Sequence, residues 1–135
     1  MRNKKKGILY IAKENRANMD LRNLNFEKAE CTSSDFSKSI FENLDMRAAK
    51  FKYCNLSGAN LKNTNLTGAN LKGSNLSNAD LTGANLKSSN LEGTDFKGAI
   101  IIGTIFDYAN VAKAKNLKID IAKSEQNNDD NIDEN

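Results

Sequence analysis

Residues 54–93 read, in blocks of five, CNLSG ANLKN TNLTG ANLKG SNLSN ADLTG ANLKS SNLEG. Every block has leucine at its centre, a small side chain two places before it, and Asn or Asp one place before it. Extending the same ruler outward gives Leu21, Phe26, Cys31, Phe36, Phe41, Met46 and Phe51 before the leucines, and Phe96, Ile101, Phe106 and Val111 after them. All nineteen positions from Leu21 to Val111 are apolar, which at this composition has a chance of about one in ten million. Two residues after the centre stand Gly58, Gly68, Gly73, Gly83, Gly93, Gly98 and Gly103, seven of the eight glycines. A corner is expected to recur there.

Neither common amphipathic pattern fits this spacing. A helix advances about 100° per residue, so a step of five spreads the apolar side chains around its surface, and a strand needs a step of two. The chain must therefore turn once per unit. Short extended pieces joined by regular corners, with the centre and the small residue pointing inward, make a solenoid whose successive coils pair as parallel strands. Asn and Asp suit the corners because they tolerate tight turns and hydrogen-bond nearby backbone.

Ala59-Asn60-Leu61, Ala69-Asn70-Leu71, Ala79-Asp80-Leu81 and Ala84-Asn85-Leu86 resemble the pentapeptide-repeat family, whose unit is written A-(D/N)-L-X-X. The resemblance covers Met19 to Ala114. It implies an all-β fold, a right-handed quadrilateral parallel β-helix of four units per coil and about five coils. Met19, Leu24 and Leu44 depart from the pattern in the small slot, and Glu30, Ile40, Lys50, Ile100 and Ile105 replace Asn or Asp. Around residues 19–114 the expected organisation is a basic leader and N-terminal cap over 1–18, a C-terminal cap over 115–125 and a disordered acidic tail over 126–135. Ile8 to Ala12 is the expected lid at the front, as a short helix or strand folded over the first coil. Leu117, Ile119 and Ile121 are the closing material at the back. All six phenylalanines fall on ruler positions and are expected inside. Residues twenty apart should lie one above another, bringing Lys72 beside Glu92 and Lys87 beside Asp107.

Composition narrows the chemistry. The 135 residues are 39% hydrophobic, 27% charged and 7% aromatic, with no His, Pro or Trp. Without histidine there is neither a Ser-His or Cys-His pair nor an imidazole ligand, and two cysteines fall short of a four-thiolate zinc site. No catalytic residue, metal site or cofactor is expected. Cys31 and Cys54 both occupy inward positions, which reads as two buried, reduced thiols, with a disulfide as the alternative. The repeat also manufactures false motifs. Asn55-Leu56-Ser57 and its like imitate glycosylation acceptors, and Thr94 with Lys97 imitates a nucleophile and its base, although Thr94 should point inward and Lys97 outward. Asp129, Asp130, Asp133 and Glu134 lack the glycine and the ligand spacing of a calcium loop.

No apolar stretch approaches the roughly 20 residues that cross a bilayer. The one after Lys4, Lys5 and Lys6 ends at Lys13 without a cleavage site, so a cytoplasmic location is expected. The formal charge of +3 is distributed along the chain. Residues 1–19 hold six Lys/Arg against Glu14, residues 20–112 hold ten against ten, and residues 113–135 hold four against six.

Two features rise above scaffold. Arg2, Lys4, Lys5 and Lys6 form a basic leader, read either as a solubilising end or as a contact for phosphate or anionic lipid. Ile100, Ile102 and Ile105 sit at outward positions that elsewhere hold polar residues, and an apolar exterior wants a cover. Either the C-terminal segment supplies it or a second copy does, since the resemblance implies dimerisation through C-terminal ends. The expected function is a non-catalytic protein-binding scaffold with an unidentified protein partner; nucleic acid binding and a membrane span are not expected. The alternative implied by the resemblance is a DNA mimic that binds topoisomerase and protects gyrase from quinolones. Such mimicry needs a dense negative surface, and the balanced charge of residues 20–112 opposes it.

Overall fold

The structure is a computed structural model that describes residues 6–119. Three strands are long enough to name: β1 (Tyr10–Ala12), β2 (Glu30–Thr32) and β3 (Lys50–Lys52). They pair in parallel in that order, with Ile11, Cys31 and Phe51 in one column. Single-residue bridges extend the same pairing from Asn15 with Asp35 to Asp95 with Lys115. Every pair joins residues twenty apart. Four units therefore make one coil, and the coils stack as a parallel β-helix without a helix among the described residues.

The unit explains itself through its five backbone N–H groups, each of which has a destination. Thr64 N–H closes the turn onto the Leu61 carbonyl at 3.3 Å. Asn60 N–H reaches back one coil to the Ser39 carbonyl at 2.9 Å, whereas Leu61 and Asn63 N–H reach forward to the Asp80 and Thr82 carbonyls at 2.8 and 2.9 Å. The remaining donor, Lys62 N–H, is met by the Asn60 side chain at 3.1 Å. That last bond is why the slot before the centre wants Asn or Asp: its carbonyl or carboxylate oxygen is the local acceptor for the corner N–H. The residue two after the centre takes positive φ, as at Gly68 (70°) and at the non-glycines Lys38 (59°) and Tyr53 (58°), the third position of a turn of type II pattern.

The core lies along the axis. Ruler residues from Leu21 to Phe96 are buried, and the small slot packs beside them through Ala59, Ala69, Ala79 and Ala84. Phe26, Phe36, Phe41 and Phe51 cluster at one end, with ring centroids 5.2–6.4 Å apart. Buried hydroxyls are satisfied within the wall. Ser74 Oγ accepts from Cys54 N–H at 3.0 Å and donates to the Phe51 carbonyl, and Thr94 Oγ1 donates to the Leu71 carbonyl at 2.8 Å.

Several expectations are revised at the two ends. Residues 10–12 form a strand beside β2, so this segment winds with the coils, whereas the reading of Ile8 to Ala12 placed it over them as a lid. Ile11 is buried and falls on the five-residue ruler two steps before Leu21. The ruler position between them is Arg16, whose side chain turns outward to Glu14 at 2.9 Å, and this charge hides the earlier unit from an apolar count. At the other end the core opens: Ile101 and Phe106 are half-buried and Val111 is exposed. Phe106 is thus not fully inside as the ruler implied, because no described coil covers it. Lys72 meets Glu92 at 3.9 Å as expected. Among the described residues no ion pair joins Lys87 to Asp107.

Candidate functional site

Ile100 and Ile102 flank the inward Ile101 on the last described coil, and Ile105 follows around the next corner. Their exposures are 43%, 71% and 42%. Ile100 stacks on Asp80 and Ile105 on Asn85, so aliphatic carbon replaces the acceptors that serve the coil behind, where Asp80 takes Thr82 N–H at 3.0 Å and Asn85 takes Lys87 N–H at 2.9 Å. The substitution gives up a corner hydrogen bond and presents apolar surface to water. Tyr108, three residues after Ile105, is a further exposed large side chain, 85% exposed at a corner with φ 60°. Reading the ruler alone missed it. The available signal was a tyrosine in a slot held elsewhere, apart from Tyr53, by glycine, asparagine, serine, lysine or alanine.

The chain after Val111 runs along the open end. Asn116 donates to Asp95 at 2.9 Å, which fastens the segment to the coil behind. A cleft of about 460 Å³ lies between Ile119 and Lys118 on one side and Ile100, Ile101, Ile102 and Phe106 on the other. As far as Ile119, the C-terminal segment adjoins the isoleucines and leaves them exposed. The remainder of the expected cap, Ile121 included, and the acidic tail fall outside the described residues. The same holds for Arg2, Lys4 and Lys5 of the basic leader, while Lys6 is described and exposed.

The reactive side chains are quiet. Cys31 and Cys54 are free and buried. Loss of hydration pushes the Cys31 thiol up to about 12 and the Cys54 thiol up to about 11, so at neutral pH both are protonated and poor nucleophiles. Thr94 is fully buried with its hydroxyl engaged, and Lys97 faces solvent. Among the described residues no group of three or more His, Cys, Asp and Glu could hold a metal ion, and no helix is long and apolar enough to cross a membrane.

Twenty-residue register, four corners per coil and an axial apolar stack define a quadrilateral parallel β-helix built from five-residue units. The family model for Pentapeptide repeats matches residues 45–83 and 79–115, with eight copies. The chain belongs to the pentapeptide repeat family, whose solved members share its right-handed β-helix. HetL from the cyanobacterium Nostoc sp. strain PCC 7120, a pentapeptide repeat protein involved in heterocyst differentiation regulation, is 28% identical with a TM-score of 0.62. The match covers 78% of this chain and 48% of HetL, so the chain spans about half the length of that relative. Another pentapeptide repeat protein from Nostoc, alr5209, is 29% identical over 62% of this chain and 77% of its own, with a TM-score of 0.55. Rfr23 from the cyanobacterium Cyanothece 51142 matches 79% of this chain and 80% of its own at 24% identity and a TM-score of 0.53, a likeness of fold. No curated protein matches significantly in sequence.

Proposed function

We propose that the chain is a non-catalytic scaffold that binds a protein partner, with Ile100, Ile102 and Ile105 as the apolar part of the contact. The observation that carries this reading is the exposure of these three side chains and Tyr108 on a coil whose backbone is paired into the wall behind it. A rigid wall suits binding, since little ordering cost attends the docking of a partner on side chains already held in place. The regulatory involvement of HetL supports a role of this kind.

A second copy is the other occupant that the same surface supports, through the C-terminal end where Ile101 and Phe106 are only half covered. The DNA-mimic alternative is disfavoured by charge: Lys62, Lys72, Lys87 and Lys97 stand on outward positions of the rod, against the dense anionic surface that mimicry needs.

Affinity capture from the native host, with the full chain and its Ile100→Asn, Ile105→Asn variant side by side, tests the proposal. A partner retained by the parent and lost from the variant supports it. Equal retention moves the contact elsewhere, and no partner for either chain sinks it. Gel filtration of the same pair decides the dimer: identical monomeric elution removes it. Inhibition of gyrase supercoiling at low concentration would install the DNA-mimic reading instead.

A further inference from the structure

The balanced charge of residues 20–112 leaves out Lys13 and Lys113, which the coil brings to the same face as Lys50, Lys52 and Lys72. The face whose inward column runs Ile11, Cys31, Phe51, Leu71, Leu91 carries outward lysines Lys13, Lys50, Lys52 and Lys72, joined by Lys113 on the last coil, against Glu30 and Glu92. Elsewhere Arg16, Arg22, Arg47 and Lys62 pair with Glu14, Asp20, Asp45 and Asp80 at 2.7–3.7 Å, while Lys38, Lys87 and Lys97 are single lysines spread over other faces. Lys50 and Lys52 flank Phe51 on β3 and so project to the same outer side. Lys72 lies one coil above Lys52, and Lys28 stands at the preceding corner, across a cleft of about 240 Å³ that Lys50, Ala48, Ile8 and Glu30 also line. Among the described residues, Lys28, Lys50 and Lys52 form no ion pair.

An aromatic side chain sits amid these charges. Tyr53 is 56% exposed, and its ring lies across Gly73 on the next coil, where an added Cβ would come within 2.6 Å of a ring carbon. One ring surface is seated on the wall and the other is open. A tyrosine held in this way offers contact area at little conformational cost.

We propose that the face bearing Lys50, Lys52, Lys72 and Tyr53 binds a short acidic segment of a protein partner. This rests on the scaffold reading and names the chemistry of one contact. The limits of the patch favour a short acidic peptide over a nucleic acid. Glu30 stands in the column of Lys50 one coil below, and Glu92 stands one coil above Lys72, bound to it at 3.9 Å. A phosphate backbone tracking the rod would cross both glutamates, and a single exposed ring does not supply the succession of stacking platforms that single strands use. A short acidic segment needs only the lysines of two neighbouring coils, Lys50, Lys52 and Lys72, for charge complementarity.

The test is fluorescence anisotropy with the full chain and two labelled probes, an octapeptide of alternating aspartate and alanine and an oligothymidylate octamer. The peptide should bind the parent, more weakly as salt rises from about 0.05 to 0.5 M. Lys50→Glu with Lys52→Glu should weaken it at least about tenfold, whereas Lys87→Glu with Lys97→Glu, the same change in charge on other faces, should leave it within about twofold. Tyr53→Ala should weaken the peptide without altering net charge, which keeps the proposal testable if the double reversal fails to fold. Equal losses from both double variants, or tighter binding of the oligonucleotide, overturn the proposal. A host partner that still binds the Lys50→Glu, Lys52→Glu variant also overturns it while leaving the scaffold reading intact.

Discussion

Leu71 and Lys72 are neighbours in sequence with opposite environments. Leu71 is 1% exposed in the axial column, and Lys72 stands on the outer wall within 3.9 Å of Glu92. Leu71→Lys buries an ammonium without a partner and should cost several kcal/mol, on the order of 3 or more. Lys72→Glu exchanges one exposed charge for another and should cost less than about 1 kcal/mol. Thermal midpoints measured side by side check this, and equal values would contradict the register. The residue scale is also where the sequence is most readable, because a side chain's inward or outward sense follows from its place in a unit of five. The failures are as specific. Arg16 occupies a ruler position yet pairs outward with Glu14, so an apolar count begins two units too late and misses Ile11 as core. Phe106 and Val111 satisfy the ruler and still meet solvent, because burial depends on a coil beyond them and not on the period.

A single unit is an element here, and its corner is held by the side chain before the centre. The aspartates in that slot have lowered pKa values for local reasons. The Arg22 hydrogen bonds hold the Asp20 carboxyl down at about 2, and those from Thr82 and Ser37 lower Asp80 and Asp35. Each carboxyl is more acidic when folded than when unfolded, so its contribution is present above the unfolded value of about 3.9. That contribution fades as pH falls below it. Denaturant midpoints should therefore drop between about pH 4 and pH 2, and Asp35→Asn with Asp80→Asn, which retain an acceptor, should flatten the drop. At pH 7, Asp80→Ala should cost about 1 kcal/mol through the unmet Thr82 N–H. This part of the site was legible in outline, since Asn and Asp announce such bonds. That Ile100 and Ile105 forfeit them for exposed carbon was legible too. Tyr53 and Tyr108 were not singled out, because a period of five treats a corner tyrosine as one more variable residue, and only the pairing twenty apart shows Tyr53 lying on Gly73.

At the scale of the whole molecule, lysines distant in sequence gather on one face of the rod. A sum over residues 20–112 leaves out Lys13 and Lys113, and only the period of the coil shows that they join the face of Lys50, Lys52 and Lys72. The two ends differ in substance as well. Four phenylalanines pack against one another near the N-terminal end, whereas the C-terminal mouth holds one aromatic pair, Phe96 and Phe106, with Phe106 half covered. Each coil leans only on those next to it, so stability in such a stack is a sum of neighbour terms and unwinding can start wherever the sum is least. Amide hydrogen exchange should show protection highest around Phe36, Phe41 and Phe51 and declining toward Gly103 and Thr104; a flat profile would refute this. The phenylalanine cluster thus gives the rod a direction of melting. Warmed gently, it should fray like a rope from its loose end, shedding windings in order while the knotted end keeps its shape.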